Sequence, residues 1–213
     1  MEMISVFTNQ DFEIFNDPTL AGRMHLIKTV IDPKFEALAP MIMAHLQTPG
    51  ERPFYAHVAK HLRRFKNPPV DTWVAFSQNK RSYKAWPHFE LGLWPDRLFM
   101  YFDILDECKP AVQAQLAAKN LLPLLTALPT DYVISNNHGV PTTQPATPPN
   151  IVQAINKFDQ YKHSELVVGR SVLVGDPLFN DTDALNQLII TTFKQLLPIY
   201  QPVMRAVSAN HES

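Results

Sequence analysis

The stretch HFELGLWPDRLFMYFDI, residues 88–104, reads as a β-hairpin. Two runs rich in apolar and aromatic side chains, His88 to Trp94 and Arg97 to Ile104, flank the turn-forming dipeptide Pro95-Asp96. In the second run Leu98, Met100, Phe102 and Ile104 alternate with Arg97, Phe99, Tyr101 and Asp103. Successive strand residues point to opposite faces, so this alternation predicts a sheet with one well-buried face.

Further strands are expected at Thr72 to Phe76, Asp131 to Ser135 and Leu166 to Val174. Helices are expected over 9–15, 20–30, 32–46, 53–65, 109–128, 150–161 and from Asp181 onward. Asp32-Pro33 reads as an N-cap followed by proline in the first turn, where its missing N–H costs nothing. Pro40 predicts a kink or break, and Pro198 a kink or stop, in their helices. Asn136 to Asn150 is rich in proline and threonine and reads as an irregular loop. Strands joined by tight turns, with helices before and after, predict an α+β fold with a largely antiparallel sheet. The chain lacks a regular βαβ alternation and a dividing linker, so one domain over 1–213 is expected.

The chain has 46% hydrophobic and 18% charged residues, the balance of a folded globular protein. Its lone cysteine, Cys108, has no internal partner, which favours a reducing compartment. Asp106 and Glu107 beside it would raise the thiol pKa, so a structural role is expected rather than a nucleophilic one. The N-terminal MEMISVFTNQDF carries no signal-peptide pattern, and no apolar run reaches the roughly 20 residues that span a bilayer. A cytoplasmic protein, with a monomer favoured and no membrane partner, is the expectation.

A net charge of −1 conceals an uneven distribution. Residues 51–92 hold eight cations against Glu51, Asp71 and Glu90, whereas the remaining chain is net acidic. Read as a helix of about 3.6 residues per turn, 53–65 places His57, Lys60, His61 and Arg64 on one side. Tyr55, Val58, Ala59 and Leu62 fall opposite. The loop Gln78 to Lys84 adds Lys80, Arg81, Tyr83 and Lys84, with Trp86 and His88 following. Cations interleaved with aromatics suit phosphate contact and base stacking, for which Trp73 or Trp86 would serve.

His57 and His61, spaced i and i+4, lack the glutamate of a zinc-protease motif and lie beside Lys60 and Arg64, so no metal site is expected. His88, beside Pro87, reads first as a structural histidine, although its neighbours place it among the site candidates. The chain has no GxSxG, GxxxxGK[ST] or GxGxxG motif. Asp176, Asp181 and Asp183 could suggest a metal cluster, but Asp181 and Asp183 sit where a helix N-terminus favours acids; Asp103, Asp106 and Glu107 could supply an acid/base pair, with no nucleophile beside them.

Several short motifs together resemble the YktB-like family of uncharacterised Gram-positive bacterial proteins (domain-of-unknown-function family 1054). They are Ala59-Lys60-His61, Arg63-Arg64, Asn67-Pro68-Pro69, Asp71 to Ala75, Asn79 to Arg81, Tyr83-Lys84 and Pro87 to Phe89. The Phe12 to Phe35 region is similar too, so the resemblance spans most of the chain. It implies a compact α+β domain broadly similar to the biotin-ligase-like architecture, and assigns no catalytic residue or cofactor. The glycine- and arginine-rich nucleotide loop of those enzymes has no counterpart here, which counts against adenylation.

Three functions are therefore expected in order. The first is binding of an anion, a phosphorylated small molecule or nucleic acid, through His57, Lys60, His61, Arg64, Lys80, Arg81, Tyr83, Lys84 and His88. The second is a transferase or hydrolase using His57, His61 or His88 as general acid or base. The third is a surface for protein partners alone.

Overall fold

A computed structural model describes residues 7–212; the N-terminal Met1 to Val6, the start of the segment judged not to be a signal peptide, lies outside them. Seven strands form one antiparallel sheet: β1 (Tyr55–Val58), β2 (Thr72–Ser77), β3 (His88–Trp94), β4 (Arg97–Ile104), β5 (Val133–Ser135), β6 (Gln144–Pro145) and β7 (Leu166–Leu173). Their spatial order is β1-β2-β3-β4-β7-β5-β6. The helices are α1 (Leu20–Leu26), α2 (Asp32–Leu46), α3 (Lys109–Gln115), α4 (Leu122–Thr126), α5 (Pro148–Gln160) and α6 (Thr182–Glu212). The fold is α+β.

The β3–β4 hairpin is the centre of the molecule. Trp94 pairs with Arg97 across the two-residue loop Pro95-Asp96, and Asp96 accepts from the Arg97 guanidinium at 2.6 Å. Phe89, Leu91 and Leu93 on β3 share a face with Leu98, Met100, Phe102 and Ile104 on β4, all fully buried. Helices α2 and α6 pack on this side. Phe89 meets Phe54, Phe102, Phe193 and Tyr200 at ring separations of 5.0–6.1 Å. Each such side chain contributes roughly 1.5–3 kcal/mol by leaving water.

The opposite face is buried as well, contrary to the one-face expectation. Trp94, Phe99, Tyr101 and Val167 form a second, smaller cluster with Trp73 and Val133 packed against it. Phe99 and Tyr101 stack at 4.8 Å and 22°. Gly92 and Gly169 permit this: a β-carbon at Gly92 would overlap the Phe99 ring, and one at Gly169 would overlap the Met100 carbonyl.

Four local expectations fail for physical reasons. The segment 53–65 is not a helix; Tyr55–Val58 is an edge strand paired with β2, and 59–71 is a loop. Asp32 does not cap a helix start, because a π-helical turn, Ile27–Ile31, joins α1 directly to α2. Its i→i+5 bonding leaves the slack that Pro33 needs inside a continuous helix. Pro40 does not break α2, and α6 continues through both Pro198 and Pro202. There, burial of Leu196, Ile199, Tyr200 and Val203 outweighs the lost backbone hydrogen bonds. The expected 109–128 helix is interrupted, with Leu116 and Ala117 extended between α3 and a 3-10 turn.

Asp181 accepts the Ala184 N–H, the capping role expected of it, and Asp176 accepts the Leu178 N–H at the start of a 3-10 turn. Cys108 is buried, and burial, reinforced by Glu107, pushes its thiol up to about 12. Among the described residues no helix is long and apolar enough to cross a membrane.

Candidate functional site

Although the helix is absent, the chain folds the basic residues together. Beyond β1 the backbone turns sharply at His61, the sole non-glycine residue with positive φ (49°) among those described. The following loop returns Arg63 and Arg64 toward β2. The loop 78–87 approaches from the other side, pinned by Asn79, whose side-chain carbonyl accepts from the backbone of Arg81 and Ser82.

Between them lie two adjoining concave regions. One, of about 750 Å³, is lined by Pro40, Met43, His57, Lys60, Arg81 and Tyr83. The other, of about 610 Å³, is lined by Lys60, His61, Arg64, Trp73, Tyr83 and Glu107. Lys60, Ser82, Tyr83 and Lys84 border both, so they form one groove. Among the described residues, no carboxylate lies within ion-pair distance of Lys60, Arg63, Arg64, Arg81 or Lys84.

Seven of the nine residues proposed from sequence thus border the groove. Lys80 is exposed outside its lining, and His88 is fully buried beneath it. Of the two tryptophans, Trp73 lines the groove and donates Nε1–H to the Tyr83 hydroxyl at 3.2 Å. Trp86 packs against the main core instead.

The histidines are engaged. His57 bonds through Nε2 to the Asn79 carbonyl at 3.0 Å, and burial lowers its pKa despite that bond. His61 bonds through Nε2 to the Thr72 hydroxyl at 3.2 Å and meets Trp73 edge-on at 5.5 Å. Burial, then the Arg64 charge, lowers its pKa to about 4, so it is neutral near pH 7. The two rings sit on different elements, with different partners, and do not present a shared metal-binding face.

Under the groove lies a buried polar cluster that the charge count did not reveal. The Tyr83 ring contacts His88 at 4.9 Å, near perpendicular. His88 Nε2 is 3.3 Å from Glu90 Oε1, and Asp103 stands directly across the ladder from His88. All three are buried, and neither Asp103 oxygen has a hydrogen-bond partner. Burial, with Glu90 and Glu165 nearby, raises the Asp103 pKa well above the carboxylate range. Glu165 itself is satisfied, accepting from the His138 backbone at 2.7 Å and pairing with Nδ1 at 2.8 Å. Burial works against a charge on His138, but the Glu165 carboxylate overrides it and raises the pKa. Asp71 is lifted to about 6 by burial and then Glu90, against the pull of Arg64 and His138.

The sequence did contain a sign of this cluster: Glu90 and Asp103 are acids inside strands that are otherwise apolar. Of the acids Asp103, Asp106 and Glu107, Asp103 alone joins this cluster; Asp106 lies past the end of β4 and pairs with His163 at 2.9 Å.

Residues 7–200 match the family model described as "Domain of unknown function (DUF1054)". A "UPF0637 protein" of Lactiplantibacillus plantarum is 81% identical over 98% of this chain and 100% of its own length. One from Leuconostoc mesenteroides is 42% identical over 93% of the chain and 100% of its length. A third, from Bacillus mycoides, is 38% identical over 92% of the chain and 97% of its length. As the motifs of residues 59–89 implied, this chain belongs to the DUF1054 family.

Proposed function

We propose that this protein binds a phosphate-bearing ligand in the groove between the 59–66 and 80–85 loops. The observation that carries this reading is the meeting of Lys60, Arg63 and Arg64 with Arg81 and Lys84, none of them paired with a carboxylate. Cations from two separate segments outnumber the acids Glu36 and Glu107 that border the same cleft, and their mutual repulsion falls when an anion arrives. Trp73 and Tyr83 supply flat surfaces at the same place, and Leu62 and Phe65 stand exposed (78% and 86%) on the loop above. A ligand with a phosphate and a planar or apolar part uses both features. The groove's dimensions suit a molecule of nucleotide size. Binding rather than acid–base catalysis is favoured because His57 and His61 spend their Nε2 atoms on internal bonds.

Calorimetric titration with nucleotides, sugar phosphates, pyrophosphate and a short oligonucleotide, at low and high salt, tests this. Affinity for at least one of them should fall as salt rises, and should drop tenfold or more in Arg64→Ala and Lys84→Ala. An oligonucleotide binding far more tightly than its mononucleotide identifies a polymer ligand; the reverse identifies a small one. Absence of binding by the folded wild type to every compound at low salt removes the reading.

A further inference from the structure

The geometry points to a divalent metal ion held by His88, Glu90 and Asp103, buried in the sheet beneath the groove. The ligand atoms these residues offer lie within 4.8 Å of one another, the one such group of three found among the described residues. Their placement is set by the ladder. His88 and Asp103 are opposite partners on β3 and β4, and Glu90 follows His88 on the same face. Opposed side chains in an antiparallel pair start about 5 Å apart at Cβ, close enough to share one ion.

Three observations argue for a cation there. The first concerns the histidine's tautomer. His88 Nδ1 is 2.8 Å from the Trp86 carbonyl, which can only accept, so Nδ1 carries the proton. Nε2 is thereby turned toward Glu90 Oε1 at 3.3 Å, the position from which an imidazole and a carboxylate can grip one ion. A backbone carbonyl holding the far nitrogen is also the usual support behind a metal-bound histidine.

The second is Asp103. It is 0% exposed, and both its carboxylate oxygens lack any hydrogen-bond partner. Buried polar groups are satisfied almost without exception, and an unsatisfied carboxylate is the most costly exception of all. Glu165, the next carboxylate near Asp103, is already taken up by His138 and cannot help.

The third is charge. With their protons displaced by an ion, the Glu90 and Asp103 carboxyl groups bring two negative charges, which one divalent ion cancels. Ligand atoms about 2.1 Å from an ion in a tetrahedral arrangement stand about 3.4 Å apart. The His88–Glu90 separation of 3.3 Å already meets this. One imidazole with two carboxylates is a borderline donor set, suited to manganese, iron, cobalt or zinc rather than magnesium or calcium. The site stands whether or not the groove above it binds an anion.

The test uses the metals alone. Protein stripped with a strong chelator is dialysed against Zn²⁺, Mn²⁺ or Co²⁺ and its metal content measured, with the Co²⁺ form examined by visible absorption. Uptake of one equivalent per chain is expected, with a metal-dependent rise in Tm. Asp103→Asn and Glu90→Gln should each weaken uptake tenfold or more and abolish the Tm rise while the circular dichroism stays native. Folded wild type that takes up no ion at millimolar concentration overturns the proposal, and so does uptake unchanged in both variants. An Asp103→Asn protein more stable than chelated and metal-loaded wild type alike would instead identify a proton-sharing acid cluster.

Discussion

The indole Nε1–H of Trp73 donates to the hydroxyl of Tyr83 at 3.2 Å, and this bond ties strand β2 to the loop that carries Arg81 and Lys84. The same Tyr83 ring rests on His57 at 5.6 Å and on His88 at 4.9 Å, so the loop is fastened by one aromatic side chain. Tyr83→Phe keeps the ring contacts and removes the hydroxyl. It leaves a half-buried indole N–H without its partner, a loss of roughly 0.5–1.5 kcal/mol. Urea unfolding should show that loss, and amide exchange should show faster opening confined to residues 78–87. Exchange unchanged in this loop would mean that Asn79, rather than Tyr83, holds it.

His61 occupies the left-handed region at φ 49°, where a β-carbon is strained. It is held there by its bond to Thr72 and its edge contact with Trp73. His61→Ala loses those contacts and keeps the strain, whereas His61→Gly loses the same contacts and relieves it. The glycine variant should therefore be more stable than the alanine variant by about 1 kcal/mol. Equal stability by thermal or urea unfolding would show that the turn is unstrained.

How much of this was legible depends on what each segment's pattern had to compete with. The 88–104 hairpin announced itself because eight successive residues of β4 keep one period and a two-residue loop fixes the register. The edge strand Tyr55–Val58 gave no such signal, since four residues cannot separate a period of two from one of 3.6. Tyr55, Val58 and Ala59 fitted a helical wheel by coincidence, and only pairing with β2 decides otherwise. Lys60, His61 and Arg64 still reach the groove because the loop folds back, a tertiary event with no local signature. The break allowed for at Pro40 and the stop at Pro198 fail for a related reason: the burial that carries a helix past a proline belongs to the rest of the fold. His88, Glu90 and Asp103 come together only through strand register, which charge counting along the chain does not register.

Gly92 is the place where backbone geometry admits the second cluster. A β-carbon there would overlap the Phe99 ring and approach the Thr72 carbonyl oxygen at 2.7 Å, and both neighbours are fixed within the sheet. Gly92→Ala should destabilise by about 2–3 kcal/mol, as overpacking of a rigid core does. Near-UV circular dichroism, which reads the Phe99–Tyr101 stack and Trp73, should change in Gly92→Ala while far-UV spectra persist. A variant with wild-type stability and near-UV signal would show that the Phe99 ring can move aside.

Asp32 lies inside the continuous α1–α2 helix, with Oδ1 buried and unpartnered. Burial, then the charge of Glu36 one turn on, raises its pKa from 3.8 to about 6, against the pull of Lys28. The folded protein therefore keeps this proton across a window, pH 3.8 to about 6, in which the unfolded chain has released it. Where the native state binds more protons, stability falls as pH rises, so this group's penalty develops between those limits and persists above them. Asp32→Asn cannot ionise. It should remove that slope and leave the protein more stable near pH 7 by about 1 kcal/mol, a figure discounted because the carboxyl is partly solvated. Thermal unfolding of both proteins from pH 4 to pH 8 checks this: the two Tm curves should lie together at the acid end, diverge as pH rises, and stay apart by a constant gap above about pH 6. Parallel curves throughout would mean that Asp32 is already ionised in the folded state at the acid end, its charge carried by Lys28.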